Sequence, residues 1–155
     1  MTIIKLLKAV ETHIRDTLKH YSYSCDSQVE HPIYVKCGFL KERELLDDSH
    51  GFDKYVLIRA VKGSYTLDEG TAVLRIIFAA KDTDVEKGYI SVINMMEHVK
   101  ASILSRHFIG DKAFTYDRGI KWELDEEDAY PHYFGVMEIS FYIGNPNEMD
   151  ISMYQ

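Results

Sequence analysis

Two long apolar runs constrain the fold of this chain most strongly. One covers residues 55–61 and the other residues 72–79, and the segment between them contains Gly63, Asp68 and Gly70. Runs rich in β-branched residues, separated by turn residues, predict two neighbouring antiparallel strands. Because nearly every position in both runs is apolar, both faces of these strands are expected to be buried. One face would be covered by a helix, and the other by a further element or by a second subunit.

One helix is predicted before these strands in the sequence and another after them. Apolar residues recur at steps of three and four between Thr2 and Lys19, and again between Tyr89 and Arg106. This spacing puts them on one stripe of each helix, so that each helix covers a core with one side and meets solvent with the other. Thr2 is suited to cap the first helix, and acidic residues precede the second, where the positive end of a helix dipole favours them.

Shorter patterns complete the prediction. Further strands are expected at residues 33–39, 113–116, 120–124 and 133–143, and loops at residues 20–30 and 41–52. The order of helices and strands predicts one α+β domain over residues 1–155, in which two main helices cover a mixed or antiparallel sheet. The N-terminal helix lies within residues 1–20, and residues 145–155 are expected to form a loosely ordered tail.

Charge and hydropathy argue against several classes of protein. The formal charge is −7, which gives no general attraction to nucleic-acid phosphates. The longest apolar run, residues 76–80, is far below the roughly 18 residues that a membrane helix needs. Lys5 and Lys8 interrupt the first apolar segment, so no secretory signal is predicted. Cys25 and Cys37 are too few for a disulfide framework and are expected to be free thiols in a reducing cytosol.

The sequence predicts no catalytic site, no cofactor site and no metal site. His31 lies six residues from both Cys25 and Cys37, whereas structural zinc sites pair ligands two to four residues apart. No glycine-rich phosphate loop or nucleophile elbow occurs. A noncatalytic protein is therefore expected. Two alternatives stay open: a small-ligand or regulatory domain whose apolar strands line a pocket, and a hydrolase that uses scattered carboxylates and histidines.

An aromatic and acidic segment near residue 125 is the candidate for a subunit interface. Large rings in an exposed turn leave apolar surface uncovered, and aromatic residues are enriched where subunits meet. The adjacent carboxylates could pair with basic residues of a neighbouring molecule. The candidate residues are Trp122, Asp125, Glu126, Glu127, Asp128, Tyr130, Tyr133 and Phe134.

Several short motifs follow one another in a fixed order between residues 55 and 143. They are Tyr55-Val56-Leu57-Ile58-Arg59; Ile76-Ile77-Phe78; Gly88-Tyr89 with Asn94, Glu97 and Leu104; Lys121-Trp122-Glu123 with Glu126-Glu127; and Tyr130-Pro131 with Tyr133-Phe134-Gly135. In this order and spacing the chain resembles the tail-terminator, or tail-completion, proteins of long-tailed bacteriophages and of prophages in Gram-positive bacteria. Residues 20–52 carry no part of the resemblance.

The resemblance implies a function in virion assembly. Members of this family are small α+β proteins that form homo-oligomeric rings, commonly hexamers, at the head-proximal end of the tail tube. There they stop tube polymerisation and join the tail to the head. The implied partners are further copies of the chain, the tail tube protein and the head–tail connector or neck protein, with no cofactor, membrane or sequence-specific nucleic acid. The implied location is the virion tail or neck, after synthesis in the host cytoplasm. A related head-completion protein of the neck is the alternative.

Overall fold

The fold is a single α+β domain in which two helices pack on one face of a five-stranded mixed sheet. The computed structural model describes residues 2–19, 33–40, 54–106, 108–109, 115–126 and 130–144, with the backbone alone for residues 115–118. This architecture confirms the predicted fold class. The predicted loops at residues 20–30 and 41–52 and the predicted tail at residues 145–155 lie outside the described residues.

The sheet combines one parallel strand pair with three antiparallel pairs. The elements are α1 (Ile3–Lys19), β1 (Tyr34–Cys37), β2 (Lys54–Tyr65), β3 (Gly70–Lys81), α2 (Val85–Leu104), β4 (Thr115–Leu124) and β5 (His132–Tyr142). The strand order is β1-β2-β3-β5-β4, and β1 runs parallel to β2. The predicted antiparallel pairing of β2 with β3 is confirmed. The two strands predicted near residues 115 and 122 form one strand, β4, whose register shifts between Tyr116 and Ile120.

Helix α1 follows its sequence pattern closely. Leu6, Val10, Ile14 and Leu18 are buried in the core, one per helical turn. The Thr2 hydroxyl accepts a hydrogen bond from the Lys5 backbone N–H at 3.2 Å, which satisfies one of the amides that a helix start leaves without a partner inside the helix. The cap and the stripe predicted from sequence are both confirmed.

Helix α2 begins four residues before the predicted start at Tyr89. Its N-cap is Asp84, whose carboxylate accepts hydrogen bonds from the backbone N–H groups of Glu86 and Lys87 at 3.1 and 3.2 Å. The carboxylate of Asp82 in turn accepts from the backbone N–H of Asp84 at 2.8 Å. The first turn is exposed, so it carries no apolar stripe, and apolar periodicity alone missed it.

Two glycines allow α2 to lie close to β5. A Cβ atom on Gly88 would collide with the ring of Tyr133. A Cβ atom on Gly135 would lie 2.6 Å from the Met96 sulfur and 2.9 Å from a Val92 methyl carbon. Each glycine therefore provides the space for a larger side chain on the facing element, and the contact between α2 and β5 depends on both.

The two faces of the sheet differ more than the sequence suggested. On the face covered by the helices, the largest fully buried side chains of β3 and β5 are Phe78 and Phe141. On the helix-free face, Leu57 and Ala79 are also buried, at 4% and 2% exposure. The rest of that face is half-buried or exposed, and Arg75 points to solvent from the middle of β3. The prediction of burial on both faces is thus correct at one end of the strands and wrong for the remainder.

A polar contact joins the two helices. The His13 Nε2 atom lies 2.8 Å from the Ser102 hydroxyl, which also lies 2.9 Å from the Thr17 hydroxyl. Burial of the imidazole lowers the pKa of His13 below its usual 6.5, and the nearby positive charge of Arg106 lowers it further. The folded protein therefore favours neutral His13.

The pKa of His13 predicts how stability depends on pH. Because the folded protein binds this proton less readily than the unfolded chain, the stabilisation is complete above pH 6.5 and is lost as the pH falls below it. The melting temperature, measured by circular dichroism, is expected to fall between pH 7 and pH 5.5. In His13→Gln this fall should be smaller, whereas His98→Gln, which alters an exposed histidine of α2, should behave like the wild type. An unchanged fall in His13→Gln would contradict the assignment.

Candidate subunit interface

The connection between β4 and β5 packs beside the loop that leads from β3 into α2. The Asp125 N–H donates to the Phe134 carbonyl at 3.0 Å, and the Asp82 N–H donates to the Pro131 carbonyl at 3.0 Å. The Tyr130 hydroxyl donates to the Thr83 carbonyl at 3.1 Å. The peptide bond that precedes Pro131 is cis. These bonds bring two loops that are about 45 residues apart in sequence to the same end of the sheet.

Negative charge collects at this end. The sequence has an acidic run at residues 125–128. Asp125 and Glu126 are described and exposed, while Glu127 and Asp128 lie outside the described residues. The α2 start adds further carboxylates. We call the whole group the acidic end, defined by Asp82, Asp84, Glu86, Asp125 and Glu126. Lys81 and Lys87 lie in the same segments and offset part of its charge.

The predicted aromatic candidates do not form one cluster. Trp122 pairs in register with Met137 and so lies on the helix-covered side of β4, at the edge of the sheet, where it is 61% exposed. Phe134 pairs with Ala79 and lies on the opposite, helix-free face, stacked on His132 with 6.3 Å between ring centroids. Tyr130 is 60% exposed in the turn itself.

Tyr133 has a role inside the subunit. It pairs with Ala80 on the helix-covered face, is partly buried and packs against the core. Its ring occupies the space above Gly88 at the start of α2. Among the described aromatic candidates, Trp122 and Tyr130 therefore offer the most surface to a partner, and Phe134 offers less.

The helix-free face carries a second feature that sequence reasoning missed. In the strand register, Arg59 pairs with Arg75, Arg75 with Glu138, and Glu138 with Lys121, so these residues form one row across β2, β3, β5 and β4. Arg75 holds the row together, because its Nη2 and Nε atoms lie 2.7 and 3.2 Å from the same Glu138 carboxylate oxygen. Lys62 lies one row further along β2.

The electrostatics around Glu138 show that these cations are close together. The hydrogen bond from Arg75 is the largest effect on the pKa of Glu138 and lowers it. Burial opposes this shift, and the charges of Arg75, Lys62 and Lys121 lower the pKa further. We call Arg59, Lys62, Arg75 and Lys121 the cationic patch. Three of these cations, Arg75, Lys62 and Lys121, act on the Glu138 carboxylate, and Arg59 lies one strand beyond Arg75, in a chain whose formal charge is −7.

Arg59 is fixed at one margin of the patch. Its Nε atom donates to the Gly38 carbonyl at 3.0 Å, and its guanidinium lies over the Phe39 ring, 3.8 Å from the ring centroid. Beside the patch, towards the acidic end, Leu57, Ile77 and Val136 form an apolar row in the strand register. The helix-free face thus has apolar residues on β2, β3 and β5 beside the cationic patch, and Glu123 continues their row on the edge strand β4.

The only cysteine among the described residues is not an activated nucleophile. Burial raises the pKa of the Cys37 thiol to about 12, and the neighbouring Glu11 carboxylate adds to the rise. The Cys37 N–H donates to Glu11 at 3.1 Å, and Arg15 donates to Glu11 at 2.7 Å. Partial burial opposes ionisation of Glu11, but these hydrogen bonds outweigh it and lower its pKa. This group ties α1 to β1.

The described residues contain neither a group of side chains that could hold a metal ion nor a helix that could span a membrane. Nowhere in these segments do three or more His, Cys, Asp or Glu side chains group so that they could hold a metal ion. Within the same segments, neither helix has the length and apolar character needed to cross a membrane. Cys25 and His31, which were compared with the ligand spacing of zinc sites together with Cys37, lie outside the described residues.

Comparison with known proteins identifies no family for this chain, so its function has to be inferred from these surfaces. No protein-family model matches the sequence, and no curated protein matches it.

Proposed function

We propose that this chain is a noncatalytic structural protein of a bacteriophage or prophage, a tail terminator that assembles into a homo-oligomeric ring. The observation that carries the proposal is the position of Trp122. This large side chain is 61% exposed on β4, the strand at one edge of the sheet. An exposed tryptophan lowers the solubility of a monomeric protein, and tryptophan is enriched at the centres of protein interfaces.

The distribution of charge supports assembly with other copies. A ring requires a head-to-tail contact in which two different surfaces of the subunit meet. This chain has two surfaces of opposite charge: the acidic end, and the cationic patch on the helix-free face. The resemblance of its ordered motifs to tail-terminator proteins supplies the biological setting, with the tail tube and the head–tail connector as axial partners.

Light scattering coupled to size-exclusion chromatography tests the proposal. The subunit mass is 18.0 kDa, and the wild-type chain is expected to elute at a multiple of that mass as the concentration rises. Fixed stoichiometry over a range of concentrations would indicate a closed ring, because an open head-to-tail chain would keep growing. A strict monomer at every concentration would contradict the proposal.

A further inference from the structure

The cationic patch carries more positive charge than the carboxylates on its own face balance. Its cations lie on β2, β3 and β4, with β5 between the last two, and the Arg75–Glu138 ion pair, at 2.7 Å, fixes its centre. Lys62 and Lys121 are exposed on either side of that pair. Glu138 balances one of the four positive charges, and Glu123 in the next row on β4 can offset a second, so the patch keeps a net positive charge that a partner with carboxylates would match.

The apolar residues beside the patch favour a protein partner. Ile77 and Val136 are half-buried and lie in the row next to Arg75 and Glu138. Burial of such residues contributes to a protein interface. A phosphate backbone would gain nothing from these apolar side chains.

We propose that the helix-free face of one copy, at its cationic patch, receives the acidic end of a second copy. This inference rests on the proposed ring and assigns the two charged surfaces that meet in it. Trp122, on β4, precedes Asp125 by three residues and so belongs with the acidic end in this contact. The patch lies in the middle of a sheet face, whereas Asp125 and Glu126 lie in the turn at one end of the sheet. When two copies are joined in this way, one copy keeps an unused cationic patch and the other keeps an unused acidic end. Further copies can therefore add head to tail until a ring closes.

Charge reversal on each surface tests this pairing. The face variant is Lys62→Glu with Lys121→Glu, and the end variant is Asp125→Lys with Glu126→Lys. Both leave Arg75 and Glu138 intact. Each variant alone juxtaposes like charges at every contact, so its dissociation concentration should rise by at least about a hundredfold over the wild type. Analytical ultracentrifugation measures this change, and the melting temperature confirms that each variant folds.

Mixing the two variants gives the sharper test. The unaltered patch of the end variant can receive the unaltered acidic end of the face variant, and the two reversed surfaces can also pair. An equimolar mixture is therefore expected to assemble where neither variant does alone. The matched control for the face variant is Lys5→Glu with Lys8→Glu, which makes the same two charge reversals at exposed residues of α1. This control should assemble like the wild type.

The possible failures can be told apart. A wild-type chain that stays monomeric would overturn the ring, and this inference with it. A wild-type ring that survives both variants would overturn the inference and leave the ring standing. The inference would also be overturned if the face variant assembled normally but lost binding to a labelled DNA duplex in a mobility-shift assay, because the patch would then serve nucleic acid.

Discussion

Gly135→Val is expected to lower the free energy of unfolding by about 3 kcal/mol, which for a domain of this size corresponds to a fall of roughly 6 to 12 °C in melting temperature. The new side chain would begin 2.6 Å from the Met96 sulfur and 2.9 Å from Val92, both of which are buried in α2. The helix must move away from β5, or Met96 and Val92 must leave their positions. The preference of valine for strands offsets only about 1 kcal/mol of this cost.

A substitution on the opposite face of the same strand serves as the control. Ser140→Val places the same valine side chain on β5 on the helix-free side, where the residue is only half-buried. Its effect should stay within about 0.5 kcal/mol. Urea unfolding followed by circular dichroism measures both variants. Equal stability of the two would show that α2 does not rest on Gly135 as described.

Trp122→Ala is expected to weaken ring assembly by at least about thirtyfold for each contact, since truncation of a buried interface tryptophan commonly costs about 2 kcal/mol or more. The fold itself should lose little, because most of the side chain is exposed in the single subunit. Light scattering at several concentrations should show the variant dissociating where the wild type is assembled, with nearly the same melting temperature for both.

The control for Trp122 is Phe108→Ala. Phe108 is similarly exposed, at 53%, but it follows the C-terminal end of α2, whereas the acidic end lies at the start of that helix. This variant should assemble like the wild type. If Phe108→Ala and Trp122→Ala dissociate the ring equally, or if neither does, the interface lies elsewhere on the subunit.

Local patterns predicted the elements whose residues contact the core at regular steps. The stripe of Leu6, Val10, Ile14 and Leu18 defined α1, because one buried residue per turn leaves a clear helical period. The first turn of α2 was missed because its residues face solvent, and only the Asp84 cap marks the start. A criterion that weighed capping residues equally with apolar period would have found it.

The candidate surfaces were harder to predict, because strand register decides them. Tyr133 and Phe134 are neighbours in sequence, but they point to opposite faces of β5. Proximity in sequence therefore suggested one aromatic cluster where the structure places one ring against Gly88 and the other on the helix-free face.

The cationic patch shows the same limit. Arg59, Arg75 and Lys121 are far apart in sequence, and only the pairing of β2 with β3, β3 with β5 and β5 with β4 aligns them with Glu138. Each appears in the sequence as a single charge within a strand. A prediction of strand order would have been needed to see that they meet.

Negative-stain electron microscopy of the purified chain tests the central claim most directly. The account predicts closed rings of uniform diameter with a central opening, formed by copies in head-to-tail contact, and it predicts their loss in Trp122→Ala. Fields without rings, prepared from samples in which light scattering gives a mass well above the 18.0 kDa of one subunit, would contradict it.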